Sequence, residues 1–278
     1  MIPIKNEFEI GKMRRAGELA ARILNQLADL VRPGITTGEI DRAAAKIMAD
    51  AGVRSAFLGY GKKNNRFPGH ICIGVNEVVV HGVGNERKIN YGDIVKIDVG
   101  IILDGFIGDT AMTVPVGIVS PEVERLLVAT EQILHGTFAL ARPGRHLGDI
   151  CAYIEEQAVA NGFSVVREFV GHGVGRRLHE EPQIPNFGRK GTGPRLRPGM
   201  TLAIEPMINM GKSDVRVLPD KWTVVTRDGL PSAHFEHTIL ITENEPEVLT
   251  WPRRSLLYFA SSGRATVESG SERMPLRM

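Results

Sequence analysis

The chain is poor in cysteine and has no hydrophobic run long enough to cross a membrane. Its two cysteines, Cys72 and Cys151, are far apart in the sequence, which excludes a disulfide framework and fits a reducing compartment. No apolar stretch reaches the roughly 18 residues of a membrane-spanning helix, and the N-terminal segment lacks the apolar core of a signal peptide. We therefore expect a cytoplasmic protein that has no membrane partner.

A strong charge of either sign is also lacking. The formal net charge is +2, and 42% of the residues are hydrophobic, as in ordinary globular enzymes. The segment from Arg253 onward contributes +3, so the rest of the chain sums to −1. A basic face within the fold, which specific nucleic-acid binding requires, is therefore not expected. Because residues 253–278 are rich in Ser, Gly and Arg and lack periodicity, we predict a flexible C-terminal tail after a single domain, residues 1–252.

Hydrophobic periodicity predicts helices alternating with short strands. The predicted helices cover about 7–30, 37–51 with Thr37 as the N-cap, 120–141 and 147–160. In the third of these, Ser120 is an N-cap followed by Pro121 at the first helical position. The predicted strands cover 71–75, 78–80, 93–103, 201–205, 223–226 and 232–241. The pattern indicates an α+β fold.

The same order of motifs occurs twice in the chain. RPGITTGEI at 32–40 is similar to RPGRHLGDI at 142–150, and HGVG recurs at 81–84 and 172–175. The strand GDIVKID at 92–98 is matched by GMTLAIE at 199–205, and DT at 109–110 parallels EHT at 236–238. Common turn chemistry would explain one such match but not the shared order. The repeat therefore predicts two related halves, each with two helices followed by strands.

Each half contributes acidic residues at equivalent places. Period-2 alternation puts Asp98 on the small, polar face of its strand and Glu205 on the corresponding face of its own strand. If a pseudo-twofold axis relates the halves, these two residues converge with Asp109 and Glu236. Any one of the four acids is more simply interpreted as a surface or capping residue, but that interpretation does not explain the repeated set.

Four carboxylates in one cleft repel one another unless protons or cations neutralise them. Two divalent ions would cancel the charge of the set. Carboxylate oxygens together with imidazole suit Mn²⁺, Fe²⁺, Co²⁺ or Zn²⁺. Such ions generate a hydroxide nucleophile at neutral pH and polarise a carbonyl, so the residues favour a hydrolytic dinuclear site.

Several segments resemble the bacterial type I methionine aminopeptidases. The similar motifs are NEVVVHG at 76–82, GDIVKIDV at 92–99, DGFIGDT at 104–110, GHGVG at 171–175, HEEP at 179–182, PGMTLAIEP at 198–206 and FEHT at 235–238. The resemblance spans residues 6–249. Between Glu205 and Glu236 there is no room for the helical insert of type II enzymes, and no Cys/His-rich extension precedes Asn6. The resemblance implies a pita-bread fold, in which a pseudo-twofold antiparallel sheet is flanked by helices.

The resemblance also assigns metal ligands and catalytic residues. It implies two divalent ions per chain, held by Asp98, Asp109, His172, Glu205 and Glu236. Asp109 and Glu236 bridge the ions, and Glu205 transfers protons. By the same resemblance, His81 and His179 contact the substrate and assist catalysis. The remaining histidines that lack a partner in the repeat are interpreted as ordinary surface or core residues, namely His70, His135, His146 and His234.

The substrate pocket and a peripheral ion are assigned in the same way. The residues that match the methionine pocket are Tyr60, Phe67, Cys72 and Trp222, together with His81 and His179. A monovalent-cation site is matched by Asn76, Val78 and Ser232. Two departures from the family pattern fall near the pocket: Leu178 stands where an aromatic residue is usual, and 61–66 contains a short insertion.

The predicted function is removal of the N-terminal methionine from nascent proteins and peptides whose second residue is small. In this hypothesis a metal-bound hydroxide attacks the scissile carbonyl. The expected partners are nascent polypeptide N-termini, with transient association with the ribosome, and the expected state is a monomer. A metal-free binding protein of the same fold should lack some of the ligands. A proline-specific peptidase should lack the methionine-type pocket.

Overall fold

The computed structural model describes residues 1–251, so the predicted tail at 253–278 lies outside the described residues. The helices are α1 Glu7–Ala28, α2 Thr37–Asp50, α3 Pro121–Phe138 and α4 Leu147–Ala160. The strands are β1 Arg54–Ser55, β2 Gly61–Lys62, β3 Asn65–Arg66, β4 Cys72–Val75, β5 Ile94–Leu103, β6 Phe106–Pro115, β7 Ser164–Val165, β8 Gly171–Gly173, β9 Glu180–Ile184, β10 Thr201–Ile204, β11 Met207–Asn209, β12 Val215–Val217, β13 Val224–Thr226, β14 Ser232–His234, β15 His237–Leu240 and β16 Glu247–Val248.

The helices begin where the sequence provides a cap. Asn6 and Glu9 form a capping box at the start of α1, which satisfies amide groups that have no partner within the helix. The N-cap of α2 is Thr36, which forms a capping box with Glu39. The prediction of Thr37 is therefore wrong by one residue, because the threonine with an extended backbone makes the cap. The third helix has the predicted cap, Ser120.

The first half forms a four-stranded antiparallel sheet in the order β1-β5-β4, with β6 paired to β5 along its length. Helix α1 packs across β5 and β6. The two elements approach closely at Gly108, where a Cβ atom would lie 2.1 Å from the carbonyl oxygen of Ala16. Any larger residue at Gly108 would push the helix away from the strand that carries Asp109.

The second half forms a five-stranded antiparallel sheet in the order β16-β15-β10-β8-β9. A three-stranded sheet, β14-β11-β7, lies under α3. Each half therefore contains a pair of helices followed by a sheet, as the repeat predicts. Within residues 1–251, none of the helices has the length and apolarity that crossing a lipid bilayer requires.

Two side-chain hydrogen bonds join the halves at β6 and β15. The Thr110 hydroxyl donates to the carbonyl oxygen of Glu236 at 2.9 Å, and the Thr238 hydroxyl donates to the carbonyl oxygen of Asp109 at 2.8 Å. An isolated β-bridge between Ala111 and Glu236 adds a backbone contact at the same place. Because all of these groups are buried, the backbone on either side of the two acids is fixed relative to the other half.

Two strand predictions are wrong. The segment 78–80 is not a strand: it lies between two left-handed residues, Asn76 (φ 48°) and His81 (φ 56°), which interrupt the extended backbone. The predicted strand at 232–241 is two strands, β14 and β15, which pair with different neighbours. Strand β6 was not predicted from the sequence at all.

Candidate metal centre and active site

One cavity of about 460 Å³ lies between the two halves. It brings together the predicted metal ligands Asp98, Asp109, His172, Glu205 and Glu236. Its walls also contain the predicted pocket residues Tyr60, Phe67, Cys72, His81, His179 and Trp222. The predicted monovalent-cation residues Asn76, Val78 and Ser232 do not line it. The predicted metal ligands and the predicted substrate-pocket residues therefore lie in one cavity.

The two aspartates come from neighbouring strands of the first half. In the β5–β6 ladder Asp98 is opposite Ala111, and Asp109 is opposite Gly100. Asp98 and Asp109 are therefore diagonal neighbours on the same face of the sheet. On the other side of β5, Cys72 is opposite Asp98, which places the thiol beside the carboxylate.

The other three predicted ligands come from the second half. His172 in β8 is paired with Ala203 in β10, and Glu205 follows β10 directly. Nε2 of His172 lies 3.5 Å from Glu205 Oε1 and 3.8 Å from Asp109 Oδ2. Ligand atoms of Asp109, His172 and Glu236 all lie within 4.8 Å of one another. The three residues could therefore share an ion, with Glu205 in contact with the group.

Burial raises the pKa of every acid in the cavity for which a shift is resolved. The pKa of Asp109 rises to about 7. The pKa of Asp98 rises well above its usual range because of burial and the neighbouring Asp109. The pKa of Glu205 rises well above its usual range because of burial, with Asp98 and Asp109 adding to the effect. The polypeptide alone therefore disfavours several ionised carboxylates in this cavity.

The three imidazoles in the cavity are held neutral. Burial is the main cause, and the nearby His179 adds to it: the pKa of His172 falls to about 3 and that of His81 to about 4. Burial also lowers the pKa of His179. Neutral imidazole is the form that binds a metal ion or accepts a hydrogen bond. His81 is also held in the left-handed region, with φ 56°, a strained conformation for a non-glycine residue that is found mainly at functional sites.

The donor set fits divalent metal ions. Asp98 Oδ1 is buried and has no hydrogen-bond partner among residues 1–251, an arrangement that is costly unless a cation satisfies the oxygen. The other donors are carboxylate oxygens and a neutral imidazole, a set that suits Mn²⁺, Fe²⁺, Co²⁺ or Zn²⁺. Burial and the charge of Asp98 raise the pKa of the Cys72 thiol well above its usual range, which keeps the thiol protonated in the metal-free cavity.

Aromatic rings form one side of the cavity. Phe67 lies edge-to-face against Trp222, with ring centroids 5.3 Å apart, and against Phe57 at 6.5 Å. Leu178, the departure from the family pattern, is buried and belongs to the same apolar cluster. This wall is apolar and lies beside charged ligands, as a pocket for an uncharged side chain next to a reactive centre requires.

Tyr60, at the start of the β2–β3 hairpin, contacts a predicted catalytic residue. Its hydroxyl lies in hydrogen-bond contact with Nδ1 of His179. Burial raises the pKa of Tyr60 and lowers that of His179, so a protonated phenol and a neutral imidazole can share this hydrogen bond. In the tautomer that offers an Nε2–H donor to the cavity, the phenol donates to Nδ1.

Tyr60→Phe is expected to lower kcat by about threefold to tenfold, the scale of one lost neutral hydrogen bond, because the hydrogen bond to Nδ1 of His179 is lost. Steady-state kinetics with a peptide substrate measures this effect. Tyr91→Phe is the matched control, since Tyr91 is exposed and outside the cavity, and it should leave kcat unchanged. A rise in KM with kcat preserved would show that Tyr60 serves only as pocket wall.

His234 is a site residue that sequence reasoning missed. Interpreted as an ordinary histidine, it is in fact buried in β14, and its Nε2 lies 3.3 Å from Glu205 Oε2. The residue is two positions before Glu236, so the period of a strand could have placed both on one face. Using that period requires the correct strand boundaries, but the sequence predicted one continuous strand over 232–241.

Comparison with known proteins agrees with the fold and with a metal-dependent peptidase. Residues 11–243 match the model of metallopeptidase family M24. A methionine aminopeptidase of Clostridium perfringens is 49% identical over 251 residues, covering 90% of this chain and 99% of that protein. The crystal structure of methionine aminopeptidase from Rickettsia prowazekii, 42% identical, has a TM-score of 0.87 and covers 90% of this chain and 100% of that one.

More distant structures share the fold alone. The prolidase of Pyrococcus horikoshii has a TM-score of 0.72 at 22% identity, and the match covers 91% of this chain but 65% of that one. The predicted pita-bread fold is confirmed by these neighbours and by the antiparallel sheets of the two halves. The chain therefore belongs to metallopeptidase family M24 and, within it, to the bacterial type I methionine aminopeptidases.

Proposed function

We propose that this metal-dependent aminopeptidase removes N-terminal methionine at a dinuclear centre to which both halves contribute. The cluster of Asp109, His172 and Glu236 within 4.8 Å supports the proposal; Asp98 and Glu205 would complete the ligand set. Two divalent ions held there, Mn²⁺, Fe²⁺, Co²⁺ or Zn²⁺, would supply Lewis acidity toward the scissile carbonyl and lower the pKa of water.

Glu205 is the residue proposed to move the proton. Its carboxylate lies in the cavity between His172 and His234, at 3.5 Å and 3.3 Å, with 12% of its side chain exposed. A carboxylate at this position can accept a proton from water and deliver it to the leaving amine.

The two other cavity histidines are proposed to act on the substrate. The rings of His179 and His172 are in edge-to-face contact, with centroids 4.3 Å apart. The Nε2 proton of His179, present when Tyr60 donates to Nδ1, can donate to the oxyanion that develops on the scissile carbonyl. His81 packs against Phe169 and Trp222 at 5.3 Å and 6.5 Å, which directs its neutral imidazole toward the scissile amide.

Substrate choice is proposed to follow from the walls of the cavity. Tyr60, Phe67, Cys72 and Trp222 provide an apolar surface for the first side chain. Methionine suits such a surface, since its unbranched thioether adapts to irregular walls. The contact between Tyr60 and His179 narrows the cavity beside the predicted ligands, which favours a small second residue.

We further propose that the substrates are nascent polypeptide N-termini, that the enzyme associates transiently with the ribosome, and that it acts as a cytoplasmic monomer. Residues 1–252 would form the single catalytic domain. The dispersed charge of the chain, −1 outside the tail, supports the absence of a specific nucleic-acid partner.

A peptide panel tests the proposed function. With metal-loaded protein, Met-Ala-Ser and Met-Gly peptides should be cut at least about tenfold faster than Met-Lys or Met-Phe peptides, a barrier difference of about 1.4 kcal/mol. Protein treated with a chelator should be inactive on all of them and should recover when a divalent ion is returned. Equal rates across the panel, preference for leucine over methionine, or cleavage of Xaa-Pro peptides would contradict the proposal.

A further inference from the structure

Lys96 is a buried lysine outside the active-site cavity. It lies in the middle of β5, with 3% of its surface exposed. Its Nζ donates to the carbonyl oxygen of Asn76 at 2.7 Å and to that of Ser232 at 2.7 Å. Asn76 belongs to the turn after β4 in the first half, and Ser232 begins β14 in the second half. The amino group of Lys96 therefore also joins the two halves.

The turn around Asn76 is fixed independently of Lys96. Asn76 has a left-handed backbone, with φ 48°, and its side chain donates to Asp93 at 2.8 Å and accepts from the amide of Ile94 at 2.9 Å. The amide of Ser232 donates to the carbonyl oxygen of Asn76 at 3.0 Å. The two carbonyl oxygens are therefore held together by the surrounding backbone, and Lys96 occupies the position at which both can be reached.

Asn76 and Ser232 are also two of the three residues assigned by resemblance to a monovalent cation. A K⁺ or Na⁺ ion at such a site would be held by the carbonyl oxygens of the polypeptide. Here the nitrogen of Lys96 already stands at hydrogen-bond distance from two of those oxygens. The residues present do not fit an additional ion.

We propose that the amino group of Lys96 replaces the monovalent cation, so that this enzyme requires neither K⁺ nor Na⁺ for structure or activity. Lys96 is a positioning residue, since it touches no part of the cavity. The strand that it holds, β14, contains His234, which contacts Glu205, and leads directly to Glu236. The amino group of Lys96, which is covalently attached to the chain, takes the place of a K⁺ or Na⁺ ion that would exchange with solvent.

Lys96 fills the position between the two carbonyl oxygens whether its amino group is protonated or neutral. Burial lowers the pKa of Lys96 to about 7, and the nearby Glu77 opposes that decrease. The ammonium form has three protons to donate and the neutral amine has two. Either form can therefore satisfy both carbonyl oxygens and fill the space between them.

The first experiment uses the unaltered, metal-loaded protein in KCl, NaCl and choline chloride at equal ionic strength. We expect melting temperatures that agree within about 2 °C, whereas an ion present well above its Kd would raise the value by more than that. A rise of more than about 2 °C in KCl or NaCl relative to choline would overturn the proposal. So would an anomalous-scattering peak at the two carbonyl oxygens in crystals soaked in Tl⁺.

The second experiment removes the amino group that lies between the carbonyl oxygens of Asn76 and Ser232. Lys96→Ala removes the amino group and leaves space between the carbonyl oxygens, so its melting temperature should become higher in KCl or NaCl than in choline by more than about 2 °C. Lys96→Met fills the space with an uncharged chain and should show no such response. Lys46→Ala is the control for loss of a lysine, because Lys46 is exposed and pairs with Asp50 on the surface of the same helix.

The outcomes separate this inference from the proposed function, because melting is measured without substrate. If Lys96→Ala melts in choline as the unaltered protein does, the carbonyl oxygens need no cation and the proposal fails. If Lys96→Ala does not fold, the comparison of salts on the unaltered protein decides alone. Absence of activity on Met-Ala-Ser would contradict the function and leave the melting result valid.

Discussion

Glu205→Gln is expected to reduce kcat on Met-Ala-Ser by about 10²–10⁴-fold, the range for loss of a general acid–base group. Glutamine preserves the volume of the side chain but cannot carry a proton between water and the leaving amine. The native carboxylate lies beside His172 and His234 in the cavity, where it can accept that proton from water. The measurement is steady-state kinetics at saturating metal, with bound metal counted by mass spectrometry.

The metal count is needed because Glu205 is also a proposed ligand. A fall in kcat that persists when the variant contains the full amount of metal isolates the proton-transfer role. Glu156→Gln is the matched control, since Glu156 is half-exposed and pairs with Lys190 on the surface, and it should retain full activity. If Glu205→Gln kept more than about a tenth of the native kcat, the proton would have to travel by another residue.

His172→Ala and His179→Ala are expected to fail in different ways. His172 lies within the group that can share an ion, so its loss should weaken metal binding, as removal of a ligand does. The ring of His179 packs edge-to-face against the His172 ring. Its loss should leave metal content unchanged and lower kcat by about 10²–10³-fold, the usual cost of a lost transition-state donor. His81→Ala should resemble His179→Ala.

Calorimetric titration with the metal, together with kinetics at saturating metal, distinguishes these variants. His146→Ala is a suitable control, because the His146 ring contacts Gly193 and does not line the cavity. Rescue of His179→Ala by extra metal, with no rescue of His172→Ala, would mean that the two assignments are reversed.

The parts of the fold that local chemistry determines were predicted well from the sequence. Helix α4 begins and ends where the periodicity placed it, and Ser120 is the N-cap of α3. The internal repeat also predicted contacts between distant residues. Motifs that occur in the same order in both halves place their residues at equivalent positions in the two halves. That reasoning led to Asp98, Asp109, Glu205 and Glu236, which the structure brings to one cavity.

Features that depend on partners distant in sequence were not predicted. Strand β6, with the sequence FIGDTAMTVP, is buried on both faces at most positions. Its small and polar residues are typical of a loop when the sequence is considered alone. Their hydrogen bonds to the other half explain why they are tolerated in the core. His234 was missed for a related reason: its contact with Glu205 depends on how β14 packs, and the strand period that relates it to Glu236 could be used only with the correct strand boundaries.

The hydrogen bonds of Thr110 and Thr238 join residues 126 and 129 positions apart in the chain. Contacts between such distant residues carry a large loop-closure cost and form slowly relative to local structure. A growing polypeptide that has not yet reached Glu236 contains four of the five proposed ligands, Asp98, Asp109, His172 and Glu205, but it lacks the threonine contacts that fix the two halves. The catalytic centre is therefore among the last parts of the described domain to be completed during synthesis, and a chain that ends before Glu236 cannot act as a peptidase.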